Sequence, residues 1–413
     1  MKRLLFVDDD PFVLDGLRRV LHGMRGEWEM KFVDNAAQAL QELDRSTYDA
    51  IVSDMRMPTM DGAQLLEEVE SRHSDIVRII LSGQCDKEAI LRSLVPTHQL
   101  LSKPCDVEEL KMRLSLAFAM RDAVSSKSLK SIIGNLRSVP SLPHMYNELS
   151  LALRSEDSSL ATIENIIKRD VAMTTKTLQL ANSAFIGTHG EVSSVQRAVS
   201  LIGTDAIRTL ALSVHVFSQF GDNPVVMRFL PALWEHSVKV ATLARRIALA
   251  EGQPRAMVEQ CFTAGLLHDL GKVVFLATMW EEYSRILEGC DNSPACAISQ
   301  EVEMLGCTHA QVGAYLMSVW GLPASLVHAV ALHHCPADDL QNRFSPLTAV
   351  HCADGIANGE DASALIRDGE LDRAYLTRLG LTEEEAHWRN LFDQSTAALD
   401  KGERRVQQDS VCR

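Results

Sequence analysis

The sequence predicts two parts of different class: a five-stranded, doubly wound parallel α/β sheet, followed by an all-helical domain. Three observations carry this. Short apolar runs alternate with helical patterns up to about residue 120. From about residue 130 onward, helical patterns follow one another without strand alternation. Between them DAVSSKSLK (122–130) is polar and rich in Ser and Lys, as a linker is.

In the first part RLLFV (3–7), MKFVD (30–34), AIVSD (50–54), RIILSG (78–83) and HQLLSKP (98–104) read as strands. Residues 11–23, 36–43 and 62–70 between them have amphipathic helical spacing. Asp106 with Glu109 forms a capping-box variant that starts a helix running to about 123. In the second part helical patterns cover 141–155, 159–169, 171–182, 195–218, 231–251, 256–269, 308–319, 323–334 and 344–357. GDNP (221–224) marks a turn, and the tail from 401 to 413 is polar and expected to fray. The domain expectation is therefore 1–122, a linker at 123–131, a helical domain at 132–360, and a C-terminal helical extension with a polar tail at 361–413.

The chain has 413 residues, 46% of them hydrophobic, enough to bury two cores. Its net charge of −14 opposes phosphate backbones, and no basic recognition helix is evident, so nucleic acid is not an expected partner. The N-terminus MKRLLFVDDD lacks the apolar length of a signal peptide, and no run resembles a membrane span. The nine cysteines include no C-x-x-C and read as free thiols, which places the protein in a cytoplasm.

In an open parallel sheet the chemistry gathers at the carboxyl ends of the strands. Those ends carry Asp8 and Asp9, Asp54, Ser82 and Lys103. Converging carboxylates repel one another, and Mg2+, which prefers oxygen ligands, relieves that repulsion. A carboxylate beside Mg2+ can accept a phosphoryl group, whose oxygens a hydroxyl and an ammonium then hold. VDDDP (7–11), SDMRMPTMDG (53–62), LSG (81–83) and SKP (102–104) closely resemble the receiver domain of two-component response regulators, a flavodoxin-like fold. That resemblance implies Asp54 as phosphoacceptor for a histidine kinase. It implies Mg2+ on Asp8, Asp9, Asp54 and the Arg56 carbonyl, with Ser82 and Lys103 on the phosphoryl group. It also implies dimerisation through the face made by strands four and five. The sequence departs from the family at Leu100, three residues before the Lys, where many receivers carry an aromatic switch residue.

Seven of the fourteen histidines fall between 236 and 351: His236, His268, His309, His328, His333, His334 and His351. His268 adjoins Asp269, His333 adjoins His334, and Asp354 ends LTAVHCAD. The order His236, His268-Asp269, Asp354 resembles the ligand order of HD-superfamily phosphohydrolases. His309 and the His333-His334 pair resemble the second-metal ligands of HD-GYP phosphodiesterases, which cleave cyclic di-GMP. That resemblance implies a divalent transition-metal site that clamps a phosphate, with Lys272 as a phosphate contact. The Gly-Tyr-Pro of those enzymes is absent, since CPADD follows His334. SVPSLPHMYNEL (138–149), LANSAF (180–185), VSSVQRAVSLIGTDAIRTLAL (192–212) and EMLGCTHAQVGAYLMSVWGLP (303–323) instead resemble the HD-related output domain, HDOD. That implies a regulatory output through contact with a downstream protein rather than catalysis. A plainer reading also stands at each position. His268-Asp269 can be a buried hydrogen-bonded pair, His333-His334 the end of a helix, and Gly271-Lys272 a helix C-terminal signal.

Overall fold

The computed structural model describes residues 1–73, 76–82, 97–103, 107–123, 148–149, 152, 159–169, 171–182, 192, 194–219, 224–289, 294–358 and 370–394. The expected cap at Asp106, most of the linker and the polar tail lie outside these residues. The chain falls into two compact units, one containing a sheet and the other the histidine-rich helices.

The sheet has five parallel strands in the order β2-β1-β3-β4-β5. They are β1 (Lys2–Val7), β2 (Trp28–Val33), β3 (Ala50–Asp54), β4 (Val77–Ser82) and β5 (Gln99–Ser102). Burial follows composition. β3 is central and buried along its whole length, whereas edge strand β2 exposes Glu29. Helix α1 (Pro11–Val20) starts where the Asp10 side chain accepts from the Phe12 amide, with Pro11 pre-set in the first turn. Asn35 caps α2 (Ala36–Arg45) in the same way. Asp61 and Gln64 form a reciprocal capping box on α3 (Gly62–Arg72). Helix α4 (Val107–Ala123) follows β5. One core packs Leu5, Val7, Ile51 and Ile80 of the sheet against Leu65, Leu66 and Val69 of α3.

The second unit contains α5 (Leu160–Lys168), α6 (Val171–Asn182), α7 (Val195–Ile202) and α8 (Thr204–Gln219). The expected single helix over 195–218 is broken at Gly203, whose φ of +92° an L-residue with a side chain resists. Then come α9 (Pro224–Ala250), α10 (Arg255–Leu267), α11 (Leu270–Thr278), α12 (Trp280–Gly289), α13 (Pro294–Gln300) and a π-helical turn at Glu301–Leu305. The remainder is α14 (His309–Val319), of which the part up to Ala314 belongs to this unit, α15 (Ala324–Leu332), α16 (Pro346–Ala357) and α17 (Arg373–Leu379).

Helices α9, α10, α15 and α16 pack on one another and form the centre. α9 and α10 cross closely at Gly265, where a Cβ would lie 2.7 Å from the Ala241 Cα. The absent side chain thus brings the carboxyl end of α10 against α9. Arg255–Thr278 is by length and composition alone long and apolar enough to cross a membrane, and 83% of its most apolar 18-residue window is buried. Its apolar character is that of a core helix pair.

Candidate functional site

Strand register assembles the first cluster. Val7 pairs with Ser53, so Asp8 and Asp54 follow at the same level, and Asp54 pairs with Leu81. Asp8, Asp9 and Asp54 each offer an oxygen within 4.8 Å of the others. Asp8 and Asp54 are buried and Asp9 is exposed, which leaves the cluster open on one side. Lys103 Nζ lies 2.7 Å from Asp8 Oδ2 and 2.5 Å from Asp54 Oδ1. Burial opposes the Lys103 charge, but the hydrogen bonds and charges of Asp54 and Asp8 outweigh it and raise its pKa. The Arg56 amide donates to Asp54 Oδ2 at 2.9 Å. Gly62 lies so close beneath Asp54 that a Cβ there would be 2.1 Å from the Asp54 carbonyl oxygen. Ser82 ends β4, and its side chain lies outside the described residues.

The second cluster is built mostly at helix ends, with His236 in the middle of its helix. His236 comes from α9, while His268 and Asp269 fill the break between α10 and α11. His309 opens α14, His333 caps α15 and is followed by His334, and Asp354 lies on α16. His236, His268 and Asp354 form one group of ligand atoms, and Asp269, His309, His333 and His334 a second, each within 4.8 Å. Asp269 joins them. Its Oδ2 lies 3.4 Å from His268 Nε2 and 3.9 Å from His236 Nε2, while its Oδ1 lies 3.4 Å from His309 Nε2. Asp354 Oδ1 is 3.1 Å from His236 Nε2 and 3.6 Å from His268 Nε2, and its Oδ2 is 4.0 Å from His334 Nδ1. Donor atoms about 3.3 Å apart are what a tetrahedral shell with bonds of about 2.0–2.1 Å requires.

The outer hydrogen bonds aim the rings inward. His268 Nδ1 donates to the Gly265 carbonyl at 2.8 Å, and His333 Nδ1 to the Val330 carbonyl at 2.7 Å. A carbonyl only accepts, so Nδ1 carries the proton in both rings. His268 Nε2, His333 Nε2 and Asp269 Oδ1 are buried and make no hydrogen bond. Three buried polar atoms in one spot, with ion-pair neighbours at best and no hydrogen bond, suit a site for a cation. The donor set therefore fits divalent metal, which either group could hold, and Asp269 has an oxygen near each.

Electrostatics divides the rings. Burial opposes charge on His268, but Asp269 and Asp354 outweigh it and hold its pKa at about 10. Glu301 and Asp269 do the same for His309, also at about 10. Burial pushes His333 down to about 3, assisted by the positive charge of His268 and His309, and lowers His334 for similar reasons. Asp269 and Asp354 are lowered because the neighbouring cationic groups overcome the cost of burial.

The receiver-domain family model matches residues 4–115, and the HDOD family model matches residues 139–336. The chain is a receiver domain followed by an HDOD domain. An uncharacterized protein of Treponema pallidum (strain Nichols) is 28% identical over 215 residues, which are 51% of this chain and 40% of that protein. The transcriptional regulatory protein ZraR of Escherichia coli (strain K12) is 26% identical over 161 residues, 38% of this chain and 36% of its own. The chain thus spans less than half the length of these relatives. An HDOD domain protein of unknown function from Geobacter sulfurreducens shares the fold, with a TM-score of 0.50 at 21% identity, covering 72% of this chain and 96% of that one.

Within the HDOD domain all seven expected ligand residues converge, and the plainer readings divide. His333-His334 does end a helix while also facing the cluster. Gly271-Lys272 does not end one: both lie in the first turn of α11. Gly271 is required there because a Cβ would sit 2.0 Å from the His309 carbonyl oxygen. Lys272 is buried, with Nζ 2.8 Å from Asp269 Oδ2, so it contacts the bridging carboxylate rather than facing solvent. His328 is half exposed and His351 is hydrogen-bonded elsewhere, so neither joins the ligands.

Sequence reasoning missed Glu301. Its carboxylate accepts from His309 Nδ1 at 2.9 Å and from the His309 amide at 2.9 Å. Glu301 lies eight residues before His309 on a π-helical turn, a spacing that no ordinary helical rule flags.

Proposed function

We propose that this chain is a phosphorylation-controlled signalling protein whose HDOD domain holds a closed two-metal centre and acts through contact with a downstream protein. A histidine kinase transfers a phosphoryl group to Asp54. Mg2+ sits on Asp8, Asp9, Asp54 and the Arg56 carbonyl, and Ser82 and Lys103 hold the phosphoryl oxygens. Phosphorylation then biases a two-state receiver, provided the two states contact the phosphoryl group differently.

The observation that carries the output reading is the closure of a complete donor set. The His236, His268, Asp269, His309, His334 and Asp354 side chains are at most 6% exposed, and His333 is fully buried. Such a centre can retain metal and brace α9, the α10–α11 corner, α14, α15 and α16, yet among the described residues it offers a phosphate ester no open face. A second reading, a receiver-gated phosphodiesterase acting on cyclic di-GMP or another phosphate ester, is favoured by the bridging position of Asp269. When bound, a metal pair supplies Lewis acidity toward a phosphate. Lys272 would then exchange the carboxylate for a phosphate oxygen.

Elemental analysis of the purified protein and of His268→Ala/Asp269→Ala, with cyclic di-GMP hydrolysis assayed on the same samples, separates the readings. About two metal ions in the parent, lost in the variant, without hydrolysis by phosphorylated or unphosphorylated protein, is the expected result. Hydrolysis that disappears with the metal would establish the enzyme reading. Metal-free parent protein with a variant of equal stability would remove the metal centre altogether.

A further inference from the structure

The His333-His334 pair sits at the carboxyl end of α15, where the last carbonyls of a helix have no partners within it. A metal ligand at such an end swings with the fraying turn unless something outside the helix holds the backbone. Two residues do so here, and both tie it to the segment around α17.

The first is His351 on α16. Its Nδ1 donates to the His333 carbonyl at 2.8 Å, while its Nε2 accepts from the Asp372 amide at 2.9 Å. A backbone amide only donates, so Nε2 is the unprotonated nitrogen and Nδ1 carries the proton. The ring is thereby locked as a strut between a ligand residue and residue 372. Asp372 is held in turn, because its side chain caps α17 by accepting from the Tyr375 amide at 2.9 Å. Gly355 lets this segment approach, since a Cβ there would meet Leu371 Cγ at 3.0 Å and the Leu371 amide nitrogen at 3.2 Å.

The second is Arg378 near the end of α17. Its guanidinium donates to the carbonyls of Asp339 at 2.8 Å, Ala337 at 3.2 Å and Pro336 at 3.4 Å. These carbonyls belong to the short 3-10 turn that follows His334. A planar fork with several fixed donors suits three carbonyls on one turn. Arg378 is exposed, and its guanidinium also lies 5.4 Å from the ring centre of the buried Tyr375.

We infer that the C-terminal segment around α17 is a positioning element of the metal centre, holding the His333-His334 end of α15 through His351 and Arg378. This rests on the two-metal reading and deepens it, because it assigns the hold to one of the two ligand groups. Asp372 and Arg378 lie beyond the residues matched by the HDOD family model.

The test uses the full-length chain and three variants: Arg378→Ala, Arg378→Lys and His351→Gln. Each is titrated with Zn2+, freed of excess metal and weighed by elemental analysis. Melting and amide hydrogen exchange over residues 333–339 are measured without metal. The parent is expected to hold two equivalents. Arg378→Ala and His351→Gln should bind one equivalent as before and the other ~10–100-fold more weakly, as loss of an outer-shell partner does. Exchange over 333–339 should accelerate in both, the melting transition should stay cooperative, and Arg378→Lys should recover part of the second equivalent. Two equivalents at parental affinity in both variants, with unchanged exchange, would overturn the inference. So would equal weakening of both equivalents together with a lost melting transition, which is the mark of general destabilisation. A parent that holds no Zn2+ would instead bring down the two-metal reading, and this inference with it.

Discussion

Single residues at strand and helix ends decide what each half can do. Asp54 is the buried carboxylate that Lys103 and the Arg56 amide both reach, so it is the nucleophile the geometry favours. Asp54→Asn should abolish labelling by acetyl phosphate, while Asp61→Asn, which alters only a helix cap, should retain it. Labelling that persists in Asp54→Asn would disprove the phosphoacceptor assignment. In the HDOD domain the corresponding position is Glu301. Its carboxylate fixes His309 with Nε2 inward and would offset the charge of a cation held there. Glu301→Gln preserves size but removes the charge. Metal content at limiting Zn2+ should fall with cooperative melting retained, and unchanged Zn2+ affinity would count against the role.

At the scale of elements, the His/Asp cluster depends on helices broken or crowded at defined points. The break between α10 and α11 turns what would be one apolar helix into two, and His268 and Asp269 occupy the corner. α11 then meets α14 so tightly that Gly271 faces the His309 carbonyl and Gly313 lies against the Gly271 amide nitrogen. Gly271→Ala places a methyl group against backbone that cannot rotate away. We expect a loss of at least ~1–3 kcal/mol, the usual cost of overpacking, read as a lower denaturant midpoint, along with reduced metal content. An unchanged midpoint would mean that the α11–α14 crossing is looser than described. Gly265 against Ala241 sets the α9–α10 crossing by the same device.

At the scale of the whole molecule, the chain divides into two compact units. One buried cluster of the sheet unit draws on residues before 81, whereas the centre of the helical unit draws on α9, α10, α15 and α16. Deleting residues 1–125 should therefore leave a helical remainder that melts cooperatively. A remainder without a melting transition would contradict the domain boundary proposed at 122–131.

The sequence alone determined the class of each half. Runs such as LLFV and AIVSD state their burial directly, and polar residues at their carboxyl ends locate the carboxylate cluster, because strand ends in a parallel sheet converge by topology. The adjacent pairs His268-Asp269 and His333-His334 were legible for a similar reason: rare residue types side by side survive any uncertainty in helix boundaries. What only the tertiary structure decided depends on neighbours far apart in the chain. Gly203 split a pattern that reads as one helix, since amphipathic spacing carries no trace of a positive φ. Gly271 looked like a helix end and is instead a contact surface for His309. Glu301, His351 and Arg378 have no sequence signature, because outer-shell partners are selected by reach across packed helices and not by spacing along one. The position of Asp269 is of the same kind: its two oxygens face two groups of side chains only once α9, the α10–α11 corner and α14 have been brought together.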